Sequence, residues 1–152
     1  MHYAGNYDKA SLQLPSAYET HSQGYSRVTL VDHSVGSVHM GLGICKLDRG
    51  GTLDPHVHFY EEAFYILEGQ VLGSIDGRNY QFGPGDYGII QASVPHAWRG
   101  TGDQPARWLE MLSPQSDAEA PAFTPEEEAP PLARTTHSRI HQHAATVNNT
   151  LH

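Results

Sequence analysis

The chain has 152 residues, nine Lys plus Arg against seventeen Asp plus Glu, and a formal net charge of −8. That length fits one domain with a real hydrophobic core, and the acidic balance argues against nucleic acid and anionic membranes, both of which would repel it. Cys45 is the single cysteine, which excludes an intramolecular disulfide framework and a cysteine-based zinc site.

Residues 1–24 are polar, rich in Tyr, Ser and Gly, and carry Pro15 as a helix breaker, so they are expected to form an N-terminal extension. The opening "MHYAGNYDKASLQLP" has no apolar core of the signal-peptide kind, and no apolar run approaches membrane-spanning length. A soluble, cytoplasmic protein with no membrane partner is the expectation. Residues 25–114 are expected to form a β-barrel, because short apolar runs there alternate with turn signals roughly every 8 to 12 residues. "YSRVTLVD" and "SVHMGLGICKL" are the first two strand-like runs; in the second, Val38, Met40, Leu42 and Ile44 recur with period two and share one face. "EAFYILE" and "GQVLGSI" follow, hinged at Gly69, and "DGRNYQF" opens on Asp76-Gly77, a tight-turn signal between strands. "GPGDYGIIQ", "PHAWR" and "ARWLEML" complete the set. No window of about twelve residues has an amphipathic helical pattern, so the class is all-β, a sandwich or barrel of about eight short strands. Residues 115–152 form a Pro- and acid-rich tail with few large apolar groups, expected to be extended or disordered because it cannot bury enough surface to offset its ordering entropy.

Eleven histidines are scattered through the chain. His56 and His58 stand apart, because residues two apart in a strand point to the same side and so offer two ligands to one metal. A carboxylate from the next strand would add a third. Glu62 shares parity with Phe64 and Ile66 and so faces inward with them, whereas Glu61 has the opposite parity and is expected to face solvent. His2, His21, His33 and His39 lack a spaced partner. His137, His141 and His143 lie beyond the last acid, Glu128, and are read as solvated.

The run Gly50, His56, His58, Glu62, Gly69 resembles the first sequence motif of the cupin family at every position, and "GDYGIIQASVPHAWRG" resembles the second, with Gly85 and Asp86 opening the strand and His96 as the remaining histidine. The resemblance covers roughly residues 37–112 and departs from the family at Gln91, Ser93 and Gly100, where proline, glycine and asparagine are usual. It implies a small jelly-roll barrel holding one divalent transition metal (Fe, Mn, Ni, Co or Zn) on His56, His58, Glu62 and His96. Three neutral imidazoles and one carboxylate would leave such an ion one net positive charge and up to two open positions.

By parity, Met40, Leu42, Phe64, Ile66 and Trp98 are expected to line a small-molecule pocket. Tyr60, beside the ligands, and Glu110, in the last strand, are the candidate catalytic groups. Neither a Ser-His-Asp arrangement nor a phosphate-cradling glycine loop is visible. The family resemblance implies three functional classes: a dioxygenase for a small oxygen-rich or enolisable substrate, which is the leading expectation; a non-redox isomerase, lyase or hydrolase; and a non-catalytic binding module. Chain organisation resembles either a single-domain cupin or one half of a two-domain cupin, and a homodimer is expected to bring two barrels together.

Overall fold

In a computed structural model, residues 2–114 and 121–124 are described. The tail outside 121–124, with His137, His141 and His143, lies outside the described residues. The β-rich expectation holds. Among the described residues nine strands run in chain order: β1 (Ser22–Val31), β2 (Gly41–Val57), β3 (Glu61–Glu68), β4 (Val71–Ile75), β5 (Arg78–Phe82), β6 (Tyr87–Ile90), β7 (His96–Gly100), β8 (Ala106–Ser113) and β9 (Ala122–Phe123). Short 3-10 turns at Lys9–Ser11, Ser16–Tyr18 and His33–Val35 are the remaining elements. Among the described residues no helix is long and apolar enough to cross a membrane.

The strand order β5-β4-β7-β2-β8-β3-β6, with β1 and β9 also on β2, makes a nearly closed jelly-roll barrel. β2 joins its two halves. β1 pairs along both parts of β2, while the first, Gly41 to Leu47, also pairs with β8 and the second, Thr52 to Val57, with β7 and β9. Gly50, at φ +69°, lies at the change of partners. Asp76 and Gly77 turn the β4–β5 hairpin with φ of +50° and +68°, the left-handed pair that a two-residue hairpin loop requires.

Period-two alternation sorts the faces. Inward go Cys45 and Leu47 from β2, Phe64 and Ile66 from β3, Val71 from β4, Trp98 from β7, and Ala106 and Trp108 from β8. The aromatic centre is packed edge to face: Phe64 lies 5.0 Å from Phe82 and 5.1 Å from Trp98 between ring centroids.

This sorting corrects one expectation. Val38, Met40, Leu42 and Ile44 share parity, but it is not the inward parity. Val38 and Met40 precede β2 and are 66% and 52% exposed. Leu42 faces outward, in a groove of about 430 Å³ formed with residues 3–8 and 28–31. The inward stripe of β2 is Gly43, Cys45 and Leu47, set by pairing with Glu110, Trp108 and Ala106.

Candidate metal centre

The local chain explains how three histidines converge. His56 and His58 lie on one side of the end of β2 and just past it. His56 is the cross-strand partner of His96 at the start of β7. Glu62 enters from β3, opposite Ile90 of β6 and Leu112 of β8. All four residues are 2–3% exposed. Glu61, one residue away, is exposed.

Each imidazole is fixed from behind. His56 Nδ1 donates to Asp54 O at 2.8 Å, His58 Nδ1 to Tyr60 O at 2.8 Å, and His96 Nδ1 to Val94 O at 2.9 Å. A ring that spends its Nδ1 proton on a carbonyl presents a bare Nε2 lone pair. One ligand nitrogen from each of the three lies within 4.8 Å of the others. His96 Nε2 has no hydrogen-bond partner although it is buried. Glu62 Oε2 stands 3.1 Å from His58 Nε2 and 3.5 Å from His96 Nε2. Lone pairs facing a carboxylate at such distances need a cation among them, either protons or a metal ion. This donor set fits a divalent ion: the three histidines could hold one.

Electrostatics follow the same arrangement. Burial lowers His56 to about 4, helped by neighbouring His96, so its ring stays neutral. Burial alone would raise Glu62, but His58 and His96 outweigh it and hold the carboxyl below the ordinary range. Burial would lower His96, yet its contact with Glu62 raises it.

Tyr60 and Glu110 border this centre. The Tyr60 ring stacks on His58 at 4.0 Å, and burial together with the charges of Glu110 and Glu62 pushes its hydroxyl up. Glu110, 8% exposed, belongs to a network that the sequence did not reveal. Its Oε2 accepts from Arg27 Nε at 2.6 Å, and its Oε1 accepts from the Cys45 thiol at 3.4 Å, while the Tyr25 hydroxyl lies 3.3 Å from Cys45 Sγ. Burial raises the Glu110 carboxyl, Arg27 pulls it back, and the charge of Glu62 adds to the rise; the net position is above the ordinary carboxylate. Gly43 makes room for this pair, since a Cβ there would sit 2.8 Å from the Arg27 guanidinium. Arg27 alternates with Tyr25 in sequence, which signals an inward face, but nothing signals a partner 83 residues away. Phe64, Ile66 and Trp98 point inward as expected and form the packed core.

Two further aromatics lie outside the barrel motifs. Tyr18 sits edge-on to His56 with centroids 5.9 Å apart, and Phe123 of β9 lies 5.8 Å from His56.

Residues 43–112 match the family model of the cupin domain, and the jelly-roll architecture agrees with that match. Among curated proteins it is 29% identical over 125 residues to polyketide synthase CurC of Streptomyces cyaneus, covering 76% of this chain and 81% of that protein. A shorter stretch of 52 residues is 38% identical to quercetin 2,3-dioxygenase of Bacillus subtilis, covering 34% of this chain and 15% of that enzyme. Among solved structures, the polyketide cyclase RemF of Streptomyces resistomycificus superposes with a TM-score of 0.68 at 21% identity, over 84% of this chain and 90% of that one.

Proposed function

We propose that this chain is a metal-dependent cupin enzyme that moves protons on an enolisable poly-carbonyl substrate and so promotes its ring closure, without consuming oxygen. The observation that carries the reading is Glu110: a second buried carboxylate, separate from the metal ligands and held by Arg27 on the same inner face. A non-redox cyclisation needs such a base. The curated relative matched over most of both chains, described as a polyketide synthase protein, supports the substrate class.

His56, His58, His96 and Glu62 would hold the ion, which when bound would supply Lewis acidity to the substrate's carbonyl oxygens. The chain's own groups do the rest. Glu110 takes a proton from the carbon between two carbonyls, and Arg27 keeps its carboxylate oriented. That carbon then forms the new bond to a distant carbonyl carbon of the same substrate, the oxygen there gains a proton, and this hydroxyl leaves as water with the remaining hydrogen of the attacking carbon, after which the ring enolises to a phenol. The Tyr60 hydroxyl, kept protonated by its buried position, would donate the proton that this oxygen gains. The buried aromatic core behind the ligands excludes water from this face.

The test is a linear 1,3,5,7-tetraketone incubated with metal-loaded protein under strict anaerobiosis. Loss of water and appearance of phenolic absorbance are expected, with Glu110→Gln slowing the reaction by about 100-fold. A dioxygenase is the second reading, favoured by the local match to quercetin 2,3-dioxygenase. Oxygen uptake in step with turnover of a flavonol, together with an inert tetraketone, would establish it and overturn the cyclisation.

We further propose that the chain forms a homodimer through the outer face of β1, β2, β8, β3 and β6. Tyr65, Leu67, Tyr87 and Ile89 on that face are 43–71% exposed.

A further inference from the structure

The aromatic groups beyond the barrel form a small structure of their own. Phe123 stacks flat on His21, with ring centroids 3.7 Å apart and planes 12° apart. Tyr18 meets Phe123 edge-on at 5.7 Å and His56 edge-on at 5.9 Å, and Phe123 lies 5.8 Å from His56. Three rings therefore bound a slot for one flat ring directly beside a candidate ligand of the metal. The slot itself is firmly built. Asp54 N–H donates to His21 O at 2.9 Å, His21 N–H to Tyr18 O at 3.1 Å, and Ser22 Oγ to Tyr18 O at 2.8 Å. Among the described residues its occupant is held by little main chain: β9 is two residues long and pairs with His56 and Val57, with Thr124 N–H donating to Pro55 O at 3.0 Å.

We propose that His21, Tyr18 and His56 form a subsite for a planar aromatic ring at the edge of the metal centre, and that Phe123 is the chain's own occupant of it. A ligand that carries an aromatic ring next to its carbonyl groups displaces Phe123 and is selected by it; a ligand without a ring leaves Phe123 in place. Phe123 is thus a specificity-determining residue supplied from outside the matched domain of residues 43–112. The slot stands on ring geometry alone, and only its use during turnover rests on the function proposed above.

Two binding measurements test this, both on the full chain. In metal-free protein, 2-naphthol binding is followed by its own fluorescence. Phe123→Ala removes the competitor, and an occupant present nine-tenths of the time would by its removal tighten binding about tenfold. Phe123→Leu, which keeps apolar volume but not a flat ring, should fall between. Adding His21→Ala to Phe123→Ala removes the stacking wall and should abolish the gain. Equal naphthol affinity in wild type and Phe123→Ala, or a gain that survives His21→Ala, overturns the subsite. In cobalt-loaded protein, 1-phenyl-1,3-butanedione and 2,4-pentanedione are compared through the visible spectrum of the ion. They share one head group, and only the first should bind more tightly in Phe123→Ala. Equal weakening of both by Phe123→Ala would make Phe123 a plain wall and overturn its role as competitor. Spectra that neither dione perturbs, with the naphthol result intact, would sink the poly-carbonyl reading and leave the ring subsite standing.

Discussion

Ser93 shows how a single departure from the family pattern is absorbed. The cupin motif usually has glycine there, and this chain places Ser93 at φ +65°, its amide donating to His58 O at 2.8 Å. A left-handed backbone costs a side-chain-bearing residue about 1–2 kcal/mol, part of which glycine would return as extra unfolded-state entropy. Ser93→Gly is therefore expected to stabilise the fold by about 0.5–1 kcal/mol, and Ser93→Val, β-branched, to destabilise it by more than about 1 kcal/mol. Urea denaturation of the three proteins reads the order directly. The metal ligands make a second set of expectations at this scale. Glu62→Gln and His58→Ala should lower metal affinity more than tenfold, and Glu61→Gln should not change it. Glu62 favours the protonated form of His96, so a proton competes with an incoming ion at this centre. Metal affinity then rises with pH until that proton is lost. Calorimetry in two buffers of different ionisation enthalpy measures the released protons; uptake without release would contradict the inward-facing Nε2 geometry.

Among the elements, the turn between β3 and β4 shows what a motif glycine does. Gly69 has φ +73°, and a Cβ there would lie 2.3 Å from Pro105 O. The turn is packed on the β7–β8 connection, where Thr101 N–H donates to Gln70 O at 3.1 Å. Gly69→Ala combines a backbone penalty with a clash against main chain, and should cost about 2–4 kcal/mol in thermal or urea unfolding; a change under about 0.5 kcal/mol would show that the connection yields freely. Much at this scale was readable in advance. Alternation in "EAFYILE" set Glu62 and Glu61 on opposite faces, and Asp76-Gly77 marked its hairpin. The alternation of β2 misled, because both of its faces are apolar: Ile44 is buried on the outer side while Cys45 and Leu47 fill the inner one. Period two fixes which residues share a face, but only the partner strands decide which face is inside. Arg27 and Glu110, Tyr18 and Phe123 meet across long sequence separations, and no local pattern encodes such pairs.

For the whole molecule the open question is what covers the outer face of the sheet. Val28, Ile44, Leu109, Tyr65 and Tyr87 are joined by cross-strand register, as are Leu42, Met111, Ala63 and Ile89. Residues 3–8 lie beside Val28 and Leu42 on the β1–β2 side, and the exposed part of the face is Tyr65, Leu67, Tyr87 and Ile89 on β3 and β6. Charge favours a second copy as the occupant. The chain carries −8, yet on this sheet Arg107 is paired with Glu68 and Lys46 with Asp48, leaving Glu61, so two copies would meet where like-charge repulsion is small. A two-fold interface needs only an apolar patch that matches itself. Sedimentation at micromolar concentration should give a dimer, and Ile89→Glu or Tyr87→Glu should weaken it more than tenfold by placing a charge at its centre. Metal content should be untouched, because Ile89 and Tyr87 point away from His56, His58 and His96. A wild-type monomer would remove the interface, and a dimer that survives both substitutions would move it to another surface.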